Sequence, residues 1–383
     1  MTHDLFDDVY TAERRALSTR ARQFAEAHIA PQATQWERNR TLPVDLHGHA
    51  AQAGLLQTGF PTDVGGTGDL LDTVIVTHAL VMGGLCPGAV VGLGSHHLAL
   101  PPVLSMGTPA QKQRYIPPVL RGERRAALGL TEPSGGSDLS QIKTRAVRVE
   151  GGYRLTGRKK FISCGGQAHQ ITVLARTSDE VRRGFSLFVV DRDTPGFRVL
   201  EALETTGWRA SGTAALAFED IFLSDEHRIG PEGAGLLCLM RNLHTERILL
   251  AAQACGIAES ALEISAAYAK TRMVSGRSLN QFQATRQTLA TIATDLYAAK
   301  ALTLRVAQRL NGGSWAGTEV SMAKNISAVV AQRATAAAVQ LHGGAGCLED
   351  SVPARLHRDA RVLTIAGGPL EVMNETIADG LGF

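Results

Sequence analysis

The hydrophobic period changes twice along this chain. Up to about residue 125 apolar residues recur at helical spacing, from about 126 to 235 they alternate, and from about 236 the helical spacing returns. This order predicts an α+β fold in three parts. They are an N-terminal helical domain (1–125), a middle antiparallel β-barrel or sandwich (126–235) and a C-terminal four-helix-bundle domain (236–383). At 383 residues the chain is long enough for two or three sizeable cores.

In the first part, Glu13 to His28 is amphipathic, with Leu17, Ala21, Phe24 and Ala25 on one face. Leu42-Pro43 is expected to open a second helix that Gly54 ends. PTDVGGTGD (61–69) is a loop. Thr73 to Met82 and Val90 to Leu104 are apolar enough for burial, and Thr108 caps a helix that Pro109 begins. His96 and His97 are adjacent, and neighbouring side chains diverge on a helix, which favours packing roles over a shared metal. In the middle part, Thr144 to Val149, the Gly151-Gly152 turn, then Tyr153 and Leu155 read as a hairpin. Ile171 to Ala175, Phe185 to Val190 and Ala215 to Phe218 are further strands. The last part holds three long helices, Leu243 to Arg272, Gln287 to Leu310 and Glu319 to His342. The first is apolar almost all round between Ile248 and Ile257, so it is expected at the centre, with Gly256 marking a close neighbour.

Composition narrows the function. Hydrophobic residues make up 44% and charged residues 20%, as in ordinary globular chains, and a net charge of +3 argues against a dedicated nucleic-acid binder. The acidic opening MTHDLFDDVY lacks a signal pattern, and no apolar run approaches the roughly 18 residues of a membrane helix. The five cysteines form no C-x-x-C pair, which disfavours disulfides and zinc. A cytoplasmic protein without a metal site or membrane segment is expected.

The most informative stretch runs from Thr131 to Gly166, opening TEPSGGSD and closing KKFISCGG. Gly135 and Gly136 tolerate positive φ, and N–H groups on such a turn can converge on an anion. Thr131 and Ser137 add hydroxyls. An ordinary polar turn, with Asp138 capping the next short segment, explains the same residues.

Separated blocks then add weight. LGLTEPSGGSD (128–138), GYRLTGRKKFIS (152–163), GWRASGTAALAFEDIFL (207–223), YAKTRMVSGRSLNQFQ (268–283) and QLHGGAGCLEDSVPARLHRDARV (340–362) together resemble the flavin-dependent acyl-CoA dehydrogenases. The resemblance covers about 60–378. It implies FAD as cofactor, with Leu128, Thr131, Gly136 and Ser137 in the first flavin loop, Ser137 also near the substrate, Phe161 packed on the flavin and Ser163 near its N5 edge. It implies that Arg272, Phe282, Gln340, Gly343 and Gly344 serve a FAD shared across a subunit interface, hence a homo-oligomer, usually a tetramer. Ser275 stands where the family usually has an aromatic residue.

The reaction so implied removes an α proton and a β hydride from an acyl thioester, giving a trans-2-enoyl thioester, with electrons passing on to an electron-transfer flavoprotein. Such chemistry needs a carboxylate at the α carbon and hydrogen bonds on the thioester oxygen. In TIAGGPLEV (364–372) the position matching the usual family Glu is Gly367, and Glu371 lies a helical turn away. Isovaleryl-CoA and long-chain acyl-CoA dehydrogenases resemble this chain in placing a Glu before an Arg early in the central helix. Here that Glu is Glu246, in Thr245-Glu246-Arg247, and it is the candidate base. A capping or surface Glu paired with Arg247 or Arg241 is the plainer alternative. Arg247, His244 and the Gly367 backbone are the remaining candidates for substrate contact. Competing functions are dehydrogenation of an acyl or aminoacyl group on a carrier protein, a flavin monooxygenase on the same fold, and a subunit that keeps the fold only for assembly.

Overall fold

The computed structural model describes residues 9–180, 183–313 and 316–383; most of the acidic opening segment lies outside the described residues. The first layer is helical: α1 (Ala12–His28), α2 (Ala33–Asn39), α3 (Leu46–Gln52), α4 (Leu70–Gly84), α5 (Pro87–Leu93), α6 (His96–Ala99), α7 (Pro101–Met106), α8 (Pro109–Tyr115) and α9 (Pro117–Leu120). Ala21, Phe24 and Ala25 are the buried face of α1, with Leu17 packed at its edge. Reciprocal capping boxes start α4 (Asp69 with Asp72) and α8 (Thr108 with Gln111).

Pro43 does not open a helix. The backbone around it is spent on tertiary bonds: the Pro43 and Val44 carbonyls accept from Arg125 Nη2 at 2.7 and 2.9 Å, and the Leu42 carbonyl accepts from Gln167 Nε2 at 2.8 Å. The helix begins at Leu46 instead, and Gly54, at φ +72°, comes just after its end. Helix α2 escapes the spacing argument because only Ala33, Trp36 and Glu37 of it are buried.

The sheet contains β1 (Ala126–Gly129), β2 (Arg145–Val149), β3 (Gly152–Ile162), β4 (Gln170–Arg176), β5 (Phe185–Asp191), β6 (Phe197–Ala202), β7 (Ala214–Ser224) and β8 (Arg228–Ile229), in the order β6-β7-β3-β2-β4-β5-β8. It is antiparallel except along one edge of β4. There β1 pairs in parallel from Ala126↔Gln170 to Gly129↔Val173, and β2 pairs in parallel at Arg145↔Arg176. The purely antiparallel expectation fails at this edge because β1 arrives from α9 rather than through a hairpin. One core lies between the sheet and α7–α9, with Phe185, Leu187 and Val189; another fills its other side, with Tyr153, Phe188 and Phe218.

The second helical layer holds α10 (Gly235–Thr271), a small hairpin β9 (Met273–Val274) and β10 (Arg277–Ser278), α11 (Gln283–Asn311), α12 (Gly317–His342), α13 (Val352–Leu363) and α14 (Leu370–Leu381). By length and mean hydropathy α10 could span a membrane, so one run does reach that size. In the fold 78% of that run is buried, and alanines on α10 (Ala254, Ala258, Ala261) pack in one core with α12 alanines and the α1 and α4 faces. A Cβ on Gly256 would stand 3.0 Å from the His78 carbonyl oxygen and 3.0 Å from Val81 Cβ, both on α4. Helices from both ends of the chain therefore share one interior.

The His96 and His97 rings do not diverge; their centroids are 4.0 Å apart. The short α6 lets both turn inward. His96 lies between the Leu93 and Leu56 carbonyls, and His97 Nε2 donates to the Thr58 carbonyl at 3.1 Å. Burial drives both below the usual histidine range, so they pack as neutral rings.

Candidate active site

A cavity of about 830 Å³ opens where the three layers meet. Its walls come from α4 (Thr73, Val76, Leu80), the α5–α6 region, the 131–137 loop, the end of β3, the 205–208 turn, α10 and the α13–α14 connection.

The loop is anchored by a buried ion pair. Lys159 Nζ donates to Glu132 Oε1 at 2.8 Å and to the Leu130 carbonyl at 3.0 Å, with the two side chains 0% and 3% exposed. Glu132 also accepts from the N–H groups of Lys143 (2.7 Å) and Thr144 (3.0 Å). These bonds hold its carboxyl below the usual range against burial, while burial pulls Lys159 down to about 8. Both partners are charged at neutral pH. The loop is thereby pinned to β3, and among the described residues the Gly136 and Ser137 N–H groups have no protein acceptor.

Past Lys159 the register of β3 against β7 slips, and Phe161 takes φ +62° with 59% of its surface exposed at the cavity. Trp208, at φ +54°, forms the facing turn. Asp359 of α13 accepts the Trp208 N–H at 2.7 Å and the Gly88 N–H at 3.1 Å. Burial and neighbouring Glu37 push Asp359 up to about 7. The indole Nε1 of Trp208 is buried and has no partner among the described residues.

Helix α10 brings Met240, Leu243, Glu246, Arg247, Leu249 and Leu250 to the cavity. Glu246 makes no ion pair within 4.0 Å among the described residues, and its partial exposure is to the cavity it lines. Burial raises its carboxyl to about 7 against the opposing pull of Arg247 and Lys324. Arg247 is not its partner: its Nε donates to the Gly367 carbonyl at 2.9 Å. Gly367 and Gly368 take φ +67° and +110°, a turn suited to glycine. A Cβ built on Gly367 would stand 3.9 Å from the Glu246 carboxyl carbon and collide with Leu250 at 2.6 Å.

The structure thus brings Leu128, Thr131, Gly136, Ser137, Phe161, Ser163, Glu246, Arg247 and Gly367 to one cavity. His244 is off it, buried roughly 200° around α10 from Glu246. Arg272, Gln340, Gly343 and Gly344 are exposed elsewhere, and Phe282 is half-exposed with Arg277 4.6 Å above its ring. Sequence reasoning missed Lys159, Trp208, Asp359 and Lys324. The period of β3 already pointed Lys159 inward with Tyr153 and Leu155, and the apolar face of α12 contained Lys324 beside Val320, Ala323 and Ala328. Trp208 and Asp359 lie within the quoted blocks 207–223 and 340–362, but nothing local joined one to the other.

Three family descriptions match this chain: the acyl-CoA dehydrogenase N-terminal domain over 11–123, middle domain over 127–221 and C-terminal domain over 233–382. The chain belongs to the acyl-CoA dehydrogenase family and is an oxidoreductase acting on CH–CH bonds. An acyl-CoA dehydrogenase of Bacillus subtilis (strain 168) is 35% identical over 370 residues, 96% of this chain and 97% of its own. The crystal structure of a probable acyl-CoA dehydrogenase from Mycobacterium abscessus is 40% identical at a TM-score of 0.95, covering 98% of this chain and 100% of that one. A structure of PigA with FAD and proline is 26% identical at a TM-score of 0.92, covering 97% and 98%. The cavity suits a flavin in its own right. An exposed aromatic ring, a buried indole N–H without an acceptor and two free loop N–H groups all meet there.

Proposed function

We propose that this protein catalyses FAD-dependent α,β-dehydrogenation of an acyl-CoA thioester, with Glu246 as the base. The observation that carries the reading is the convergence at Gly367. The carboxyl of Glu246, without an ion pair among the described residues and raised to about 7, lies 3.9 Å from where a side chain at Gly367 would begin. The two positions where the family keeps its base thus address one spot, and here one of them is vacant of side chain. A carboxylate near neutrality is suited to accept a carbon-bound proton at physiological pH.

Thr131, Gly136, Ser137, Phe161 and Ser163 would hold the flavin end of FAD, and the free indole N–H of Trp208 offers a further donor. When bound, FAD supplies the hydride acceptor. The chain's own residues orient the thioester, exclude water through the apolar walls of Val76, Leu80, Leu249 and Leu250, and take the α proton on Glu246. Arg272, Phe282, Gln340, Gly343 and Gly344 lie away from this cavity, as residues serving a neighbouring subunit's FAD would, which favours a homo-oligomer. An electron-transfer flavoprotein is the acceptor proposed for turnover.

Anaerobic flavin bleaching against a panel of acyl-CoA and carrier-bound thioesters tests this reading. One CoA ester is expected to bleach the wild-type flavin, and Glu246→Gln to slow that bleaching by about 10²-fold or more. A Glu246→Gln protein that bleaches at the wild-type rate removes the base assignment, and bleaching only by carrier-bound groups changes the substrate class.

A further inference from the structure

The glycine turn beside Glu246 is gripped from two helices. Arg247 of α10 donates to the Gly367 carbonyl at 2.9 Å, and Lys324 Nζ of α12 donates to the next carbonyl, Gly368, at 2.6 Å. One residue along α12, Asn325 Nδ2 donates to the Leu370 carbonyl at 3.1 Å. Lys324 is 1% exposed. A buried lysine is costly unless its ammonium is well placed, and the Gly368 carbonyl is the acceptor this one reaches.

The turn needs such a grip. Two consecutive glycines leave the backbone its widest choice of dihedrals, and φ +110° at Gly368 is a shallow preference at best. A peptide plane points its carbonyl and the following N–H in opposite directions. Fixing the Gly367 oxygen on Arg247 therefore turns the Gly368 N–H the other way. Among the described residues neither the Gly367 nor the Gly368 N–H has a protein acceptor, and both glycines line the cavity. Two adjacent, unspent N–H groups beside a carboxylate are the donors that a thioester oxygen gaining charge requires.

We propose that Lys324 is a positioning residue of this site: its bond to the Gly368 carbonyl holds the Gly368–Pro369 peptide, which has no N–H of its own, and with Arg247 on the Gly367 carbonyl it clamps the glycine turn so that the free N–H groups of Gly367 and Gly368 meet the developing oxyanion opposite Glu246. This rests on the proton abstraction proposed above. Lys324 also adds charge to the site. Burial pulls it down to about 8, Arg247 pushes the same way, and Glu246 and Glu371 oppose them, so it is cationic at neutral pH. Its cation and that of Arg247 both hold Glu246 lower than burial alone would.

The test isolates proton abstraction from oxidation. A CoA thioester with sulfur in place of the β carbon has α protons but no β hydride. In D2O its α C–H bond breaks, the proton passes to Glu246, the thioester oxygen takes the charge, and a deuteron returns to carbon. No electron leaves, so no oxidant is needed. Exchange is read by mass spectrometry on the FAD-loaded protein, with FAD content and analogue affinity measured alongside. Wild-type exchange that Glu246→Gln abolishes is the control, and its failure would sink the proposed function rather than the role of Lys324.

Lys324→Met is expected to slow exchange by about tenfold, short of the roughly 10²–10³-fold cost of losing an oxyanion donor outright, because the donors themselves remain. Analogue affinity should stay within about threefold, since the loss lies in the charged state rather than in ground-state binding. The acidic limb of the exchange–pH profile should move to higher pH, because a cation that lowers Glu246 is gone. Lys324→Arg, which keeps charge and donor, should recover part of the rate. Wild-type exchange in Lys324→Met with an unmoved limb overturns the proposal. Should Lys324→Met not fold, Lys324→Gln carries the test. It can still donate to Gly368, so its rate should fall less, but its acidic limb must move upward, and an unmoved limb there overturns the proposal equally.

Discussion

A carboxylate without an ion pair in a protein interior is held there at the expense of stability, and Glu246 makes the sign of that expense measurable. Its folded value of about 7 lies above the usual 4.5. Between those values the folded protein retains a proton that the unfolded chain has released, so stability falls as pH rises through this window. Above pH 7 the accumulated loss is on the order of 3 kcal/mol; below 4.5 it vanishes. Glu246→Gln carries no such loss. Its thermal midpoint, relative to wild type, should therefore improve by a few degrees between pH 5 and pH 8. A difference that is the same at both pH values would mean that Glu246 does not titrate there. The alternative of a surface Glu paired with Arg247 predicts the reverse slope, and the bond from Arg247 to the Gly367 carbonyl already speaks against it.

At the scale of elements, α10 shows how propensity and packing compete. Gly256→Ala gains about 1 kcal/mol of helix propensity. The added methyl meets the His78 carbonyl oxygen and Val81 Cβ of α4 at 3.0 Å each, and overpacking of a tight contact costs about 1–3 kcal/mol. Both neighbours are backbone or backbone-proximal and cannot swing aside, so packing should win and Gly256→Ala should lower the midpoint; a raised midpoint would show that α4 yields. The central place of this helix, and the meaning of Gly256, were legible because an all-round apolar run has only one home. So were the hairpin of β2 and β3 and the Thr108 cap of α8, which depend on residues a few positions apart. The parallel seat of β1 on β4 was not, since strand partners 44 residues apart leave no trace in either strand's period. Nor was β6, an edge strand with no buried residue to mark it. At the site, Glu246 was reachable by resemblance, but its relation to Gly367 depended on a turn held by Arg247 and Lys324 from separate helices.

On the scale of the molecule, the cavity is where the layers join. Thr73 and Val76 of α4, the 131–137 loop of the sheet region, Glu246 of α10 and the 365–369 connection are all its walls, so a ligand there ties the loop of the sheet region to helices that already share a core. Several of those walls are also the strained ones. Phe161 and Trp208 on the cavity, and Cys164 next to its Ser163, all take φ between +54° and +62° without being glycine, at a cost of about 1–3 kcal/mol each that the surroundings must offset. Helices α10 and α12 carry no such strain and are packed by alanine. Removing FAD should therefore not loosen the protein evenly. A ligand at about a thousand times its Kd adds roughly 4 kcal/mol to the folded state, so the FAD-free protein should melt several degrees lower. Amide hydrogen exchange should quicken first in 131–137, 161–165 and 205–212, while the buried amides of α10 and α12 stay slow. Quickening spread evenly through α10 and α12 would mean that the cofactor supports the helical core itself. No change in the three segments would mean that the flavin does not rest on the Thr131 loop, Phe161 and Trp208.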